Sequence, residues 1–128
     1  MDAIDIEACR QHFQQQEHET LRLRETHRRV AHTSVRAVIA SIMPHYPEVK
    51  QVYLFGSVTA PGRFHANSDI DIAIEGTSAA SYFSIWRDLE AIVQDWRIDL
   101  RELKDESYFA QRVRQQGELV YEYENSTS

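Results

Sequence analysis

Residues 69–74 read Asp-Ile-Asp-Ile-Ala-Ile, and that alternation constrains the chain more than any other stretch. Side chains on a strand point to opposite faces in turn, so a strand here puts Asp69 and Asp71 on one face and turns Ile70 and Ile72 into a core. Upstream, the apolar run Val52-Tyr53-Leu54-Phe55 ends in a Gly56-Ser57 turn, and eleven residues, Val58 to Ser68, separate that turn from the first acid. Two parallel carboxylates beside a Gly-Ser turn suit a divalent metal and the phosphates it carries. The pattern points to a nucleotide site.

The rest of the chain supplies the frame for such a site. Residues 4–43 contain neither Gly nor Pro and read as one helix, with Ala31, Val35, Val38, Ile39 and Ile42 marking a buried stripe in its second half. Its first half is rich in Gln, His and Glu, with only scattered apolar residues such as Ile6, Phe13 and Leu21. That half is expected to extend beyond the domain and to need another surface to hold it. Pro44 and Pro47 end the helix. Strands are expected near residues 49–55, 69–74, 96–103 and 118–121, with a loop over 56–67 and helices over 79–94 and 107–115. Gly117 stops the last helix before the final strand. In the third strand Ile98 and Leu100 face the core, while Arg97, Asp99 and Arg101 share the other face. If that strand lies beside the second, Asp99 joins Asp69 and Asp71, and a cation relieves their repulsion.

Strands alternating with helices imply an α/β (α+β) domain, with a small mixed sheet flanked by helices and a long N-terminal helix. The expected organisation is a helical extension over 1–33, continuous with the domain's first helix, a domain over 34–122 and a flexible tail over 123–128. A chain of 128 residues fits one domain with a real core and leaves no room for a separate substrate domain. One cysteine, Cys9, excludes an internal disulfide, no apolar run reaches membrane-span length, and Asp2, Asp5 and Glu7 do not resemble a basic signal peptide. A cytoplasmic location is expected. The net charge of −6 argues against stable nucleic-acid binding, although Arg22, Arg24, Arg28, Arg29 and Arg36 crowd the first third. They read as a solvated helix face, or as a surface that meets an acidic partner. His12, His18, His27 and His32 do not stack on one face, so they are not read as a metal site; His65 reads as a surface histidine and Trp86 and Trp96 as packing residues.

Taken in order, Phe55-Gly56-Ser57, Ser68-Asp69-Ile70-Asp71-Ile72 and Ile98-Asp99-Leu100 resemble the DNA polymerase β-like nucleotidyltransferase superfamily. More narrowly, the chain looks like the minimal nucleotidyltransferases that serve as antitoxins in HEPN/MNT toxin–antitoxin pairs. The resemblance covers about residues 34–122, including the closing Gly117-Glu118-Leu119-Val120-Tyr121. It implies that Gly56 and Ser57 hold a nucleotide triphosphate, with Ser68 close by, and that Asp69, Asp71 and Asp99 hold two Mg²⁺ ions. Asp99 would also help activate the incoming hydroxyl. The loop before Asp69 is one residue longer than the common family spacing, and Val58 stands where the family often has arginine, so Arg63 is expected to supply a displaced cation. The activity implied is transfer of AMP from ATP to a tyrosine hydroxyl of a HEPN ribonuclease toxin, in a hetero-oligomer. Two alternatives stand beside it: a nucleotidyltransferase with a small-molecule or nucleic-acid acceptor, and a non-catalytic antitoxin that acts by binding alone. Three intact acids argue against the last.

Overall fold

A computed structural model describes residues 5–104 and 106–124. Helix α1 runs Ile6–Ile42, capped by the Asp5 side chain, which accepts from the amide of Ala8 at 3.0 Å. Pro44 falls in a short 3₁₀ turn, Met43–His45, that ends it. Strand β1 (Gln51–Phe55) leads through a one-turn 3₁₀ helix (Gly56–Thr59) and a loop to β2 (Ile70–Glu75). Helix α2 (Ala79–Ile92), β3 (Ile98–Glu102), α3 (Tyr108–Gln116) and β4 (Glu118–Glu122) complete the order. The expected elements are all present, with ends displaced by one to a few residues. The loop after Gly56 is less irregular than expected, because its first residues coil into the 3₁₀ turn. The tail expected from residue 123 is still held at its first residue, since the Tyr123 amide donates to the Lys50 carbonyl at 2.9 Å; residues 125–128 lie outside the described residues. No described helix is long and apolar enough to cross a membrane.

The four strands form one mixed sheet in the order β3-β2-β1-β4, with β2 and β3 parallel and the other pairs antiparallel. A parallel pair needs a crossover, and α2 supplies it. Ser78 and Ser81 fix the start of α2 with a reciprocal capping box. One face of the sheet, with Val52, Leu54, Ile70, Ile72, Ile74, Ile98 and Leu100, packs under α1 and α2 against Ala31, Val35, Ile39, Ile85 and Leu89. Each fully buried aliphatic contributes about 1.5–3 kcal/mol. The other face is only partly roofed: α3 lays Ala110 and Val113 over Tyr53, Ala73 and Leu103.

Helix α1 divides by exposure. Residues 5–23 are exposed throughout, whereas Arg24, Glu25 and Arg28 are partly covered and Ala31 is buried. Arg28, only 13% exposed, pairs with the Glu25 carboxylate and donates to the Val58 carbonyl at 3.0 Å; Glu25 in turn accepts from the Gly62 amide at 3.4 Å. Of the clustered arginines, Arg28 is therefore a structural anchor rather than a solvated residue. His32 pairs with Glu118 at 2.6 Å, tying the same helix to β4. The hydrogen bond from Arg28 holds the Glu25 carboxyl down at about 2. Its contribution to stability is present above pH 4.5 and is lost as the pH falls through the window down to about 2. Arg28→Ala should destabilise the protein, because it removes the hydrogen bond to the Val58 carbonyl and leaves Glu25 with only the exposed Arg29 and the Gly62 amide. Amide exchange at Gly62 should accelerate in the same variant; an unchanged rate there would mean that α1 does not hold the loop.

Candidate active site

The face that α3 leaves open carries the acids. Strand register sets Asp71 beside Asp99 on β3 and beside Phe55 at the end of β1. Asp69 stands one residue ahead of β2, where the ladder already begins: the Ile70 amide donates to the Arg97 carbonyl at 2.8 Å. Period-2 alternation points Asp71 and Asp99 away from the core that Ile70, Ile72, Ile98 and Leu100 fill.

Gly56 is where this face meets the turn. Its φ is +73°, and a Cβ there would lie 2.2 Å from Oδ2 of Asp71. Only glycine allows both the left-handed backbone and the carboxylate's approach. The Gly-Ser turn and the second acid thus form one unit in space, fifteen positions apart in sequence.

Burial raises the Asp71 carboxyl most, and the neighbouring charges of Asp99 and then Asp69 add to it; together they push it from 3.8 up to about 6. Arg101 opposes the rise. The two outer acids lean on arginines instead: Asp99 on Arg101 at 3.4 Å, and Asp69 on Arg97 at 3.9 Å. The guanidinium of Arg101 also lies over the ring of Phe109, 5.5 Å from its centroid. The three carboxylates feel one another without converging: among the described residues, no three His, Cys, Asp or Glu side chains form a group placed to hold a metal ion. An all-carboxylate set on one face nevertheless has the hard oxygen chemistry that Mg²⁺ takes, and the part of the Asp71 rise that comes after burial, from the charges of Asp99 and Asp69, is one a cation would offset.

On the β1 side of the acids lies a groove of about 770 Å³, between the Gly56–Thr59 turn with its following loop and α3. Gly56, Ser57, Arg63 and His65 line one wall, and Phe109, Arg112 and Gln116 the other. Of the residues expected to bind a nucleotide, Gly56, Ser57 and Arg63 come together here. Ser68 does not line the groove; its Oγ accepts from the His65 amide at 2.8 Å and closes the loop. His65, read from sequence as a surface histidine, is indeed exposed yet lines the groove. Sequence reasoning missed Phe109 and Arg112. The signal available was the pairing of Phe55 with Phe109, rings 5.5 Å apart, which depends on knowing that α3 folds back over β1.

The sheet thus carries carboxylates on two parallel strands, flanked by a glycine turn and an arginine-lined groove. The chain belongs to the "Polymerase beta, Nucleotidyltransferase" family, whose sequence model matches residues 38–126. No curated protein matches it. Among solved structures it is similar to a chain in a crystal structure of a toxin–antitoxin with AMP-PNP, at 28% identity over 70% of this chain and 74% of that one, with a TM-score of 0.56. It is also similar in fold to a chain of a mutant MntA-HpeT toxin–antitoxin, at 23% identity over 73% and 74% of the two chains and a TM-score of 0.52. A third likeness of fold is to a complex of a tri-AMPylated Shewanella oneidensis HEPN toxin with an MNT antitoxin, at 22% identity, coverage of 75% and 73%, and a TM-score of 0.50.

A carboxyl raised in the folded state costs stability when ionised. That cost is absent near pH 4, grows as the pH rises from 3.8 to about 6, and is fully present above that. In chelator at pH 7.5, Asp71→Asn should therefore raise the unfolding free energy by about 1–2 kcal/mol, after discounting for partial solvent exposure. The gain should vanish near pH 4. Denaturant melts at both pH values check this, and a loss of stability at pH 7.5 would mean that Asp71 is a structural acid.

Proposed function

We propose that this protein is an antitoxin that transfers AMP from ATP to a tyrosine hydroxyl of a HEPN-family toxin, silencing it within a hetero-oligomer. The observation that carries the reading is the pairing of Asp71 with Asp99 on one open face, with Asp69 just ahead of the same strand, Asp71 flush against Gly56, and an arginine-lined groove beside them. Membership of a nucleotidyltransferase family supports the chemistry. Likeness to a toxin–antitoxin crystallised with an ATP analogue supports both the nucleotide and the partner.

In this reading the backbone of the Gly56-Ser57 turn, the Ser57 hydroxyl and Arg63 hold the triphosphate, and Arg112 faces it from α3. Asp69, Asp71 and Asp99 would hold two Mg²⁺ ions, with Asp69 and Asp99 giving up their arginines to do so. When bound, the ions neutralise charge on the phosphates and on the leaving pyrophosphate. The groove lies on the β1 side, so an acceptor in line with the leaving group approaches over β3. Asp99 stands on that strand and takes the hydrogen bond of the incoming hydroxyl. The tyrosine oxygen bonds to the α-phosphorus, the bond to the β-phosphate oxygen breaks, and the hydroxyl proton leaves by way of Asp99. A protein acceptor brings its own binding surface, which suits a domain this small.

The test incubates the purified protein with a HEPN toxin and labelled ATP, and weighs the toxin by mass spectrometry. Addition of AMP to a tyrosine is expected. Asp69→Asn and Asp99→Asn should each abolish transfer while leaving the thermal melt intact, since each removes charge from a polar, half-exposed position. A variant that keeps full transfer would end the two-metal reading. Neutralisation of the toxin by the inactive variants would instead favour blocking by binding alone.

Ser57→Ala separates phosphate holding from chemistry. It removes one hydrogen bond to a charged group, about 1.5–3 kcal/mol, so transfer at limiting ATP should fall roughly ten- to hundredfold. No change in the ATP dependence would place the triphosphate elsewhere.

A further inference from the structure

We infer that the free half of α1 is a dimerisation arm, and that its partner is the same arm of a second copy, running antiparallel. Residues 5–23 are exposed throughout, and among them the large apolar side chains of Ile6, Phe13 and Leu21 are 68%, 67% and 46% accessible. At 100° per residue, Ile6, Arg10, Phe13, Glu17 and Leu21 fall within a stripe about 80° wide. The stripe continues the face that buries Ala31, Val35 and Ile39 further along. It ends where Glu25 and Arg28 engage the Val58–Gly62 loop.

The pattern in that stripe is complementary to its own reverse. With a two-fold axis between residues 13 and 14, Ile6 meets Leu21 of the second copy, Arg10 meets Glu17, and the two Phe13 rings meet at the axis. Symmetry repeats each outer pair, giving two ion pairs and two apolar pairs around one aromatic centre. A parallel pair in register would oppose Arg10 to Arg10 and Glu17 to Glu17, so the charges select the antiparallel arrangement. Antiparallel arms also carry the two domains to opposite ends, about 28 Å of helix apart at the exposed segment's length. The grooves and acids of both copies then stay open. The family's sequence match begins at residue 38, so the arm lies outside the catalytic portion. A contact between two short helices falls below the roughly 1,200–2,000 Å² of stable complexes, so the dimer is concentration-dependent and weakens with salt.

Sedimentation equilibrium of the full chain alone, from about 1 µM to about 1 mM, is the first measurement, since weak contacts of this size assemble in that span. A monomer–dimer equilibrium is expected. Phe13→Asp, Arg10→Glu and Glu17→Arg should each leave only monomer, and the double variant Arg10→Glu/Glu17→Arg should restore the dimer. These side chains are exposed and distant from the acids, so the variants should fold and melt like the parent protein. Cys9, exposed and the chain's one cysteine, takes a spin label without further substitution. In the proposed register the two Cys9 backbones lie about 16 Å apart, from a 1.5 Å rise and a helix separation of roughly 9 Å. A chain that stays monomeric throughout, a dimer indifferent to Phe13→Asp, or a charge swap that fails to restore association would overturn the inference. So would an arm that assembles only when a different protein is added. None of these results depends on whether AMP transfer occurs.

Discussion

The pairing of β2 with β3 governs this molecule. Strands that place Asp71 against Asp99 also place Ile70 against Ile98 and Ile72 against Leu100. A slip of one residue would turn the acids into the packed layer under α1 and α2 and expose the aliphatics. The core therefore sets the site's register. Burial of Ile70, Ile72, Ile74 and Leu100 at about 1.5–3 kcal/mol each outweighs the 1–2 kcal/mol that the ionised Asp71 costs. A carboxylate can thus be held in an unfavourable position because the same strand is fastened on its other side.

Charge is distributed unevenly over that open face. The outer acids have arginines within reach, while Asp71 sits against the turn, partly withdrawn from water. The site's least favourable group is therefore also its central one. On the far side of the turn the loop is kept in shape by the helix that also covers the sheet's packed face: Glu25 and Arg28 of α1 reach the backbone at Val58 and Gly62. The groove thus depends on α1 for its geometry, although no residue of α1 lines it.

Much of this was legible in sequence, and the reasons are local. Alternation in residues 69–74 and 98–101, the Gly-Ser turn, and the Gly- and Pro-free run before Pro44 each act through periodicity or backbone restriction, so strands, helices and the shared face of the acids followed. What was not legible needed the third dimension. Arg28 looked like one of five solvated arginines because its partners are a neighbour on its own helix and a carbonyl thirty residues away. Phe109 and Arg112 looked like ordinary helix residues until α3 was seen folded over β1. Placing Asp71 against Gly56 likewise depends on the antiparallel return of β2 along β1, which no spacing rule expresses.

The closing strand has a consequence for how the chain reaches this state. β1 is paired on one side by β2, near in sequence, and on the other by β4, which brings Gln51 against Glu122 across almost the whole domain. Short-range pairings form more readily than long-range ones, so β1, β2, α2 and β3 can assemble, acids included, before β4 arrives. Until then β1 presents an open edge bearing Val52, Tyr53 and Leu54, a ready template for another chain's strand. During synthesis that edge is the molecule's most vulnerable surface, and the five residues of β4 are what seal it.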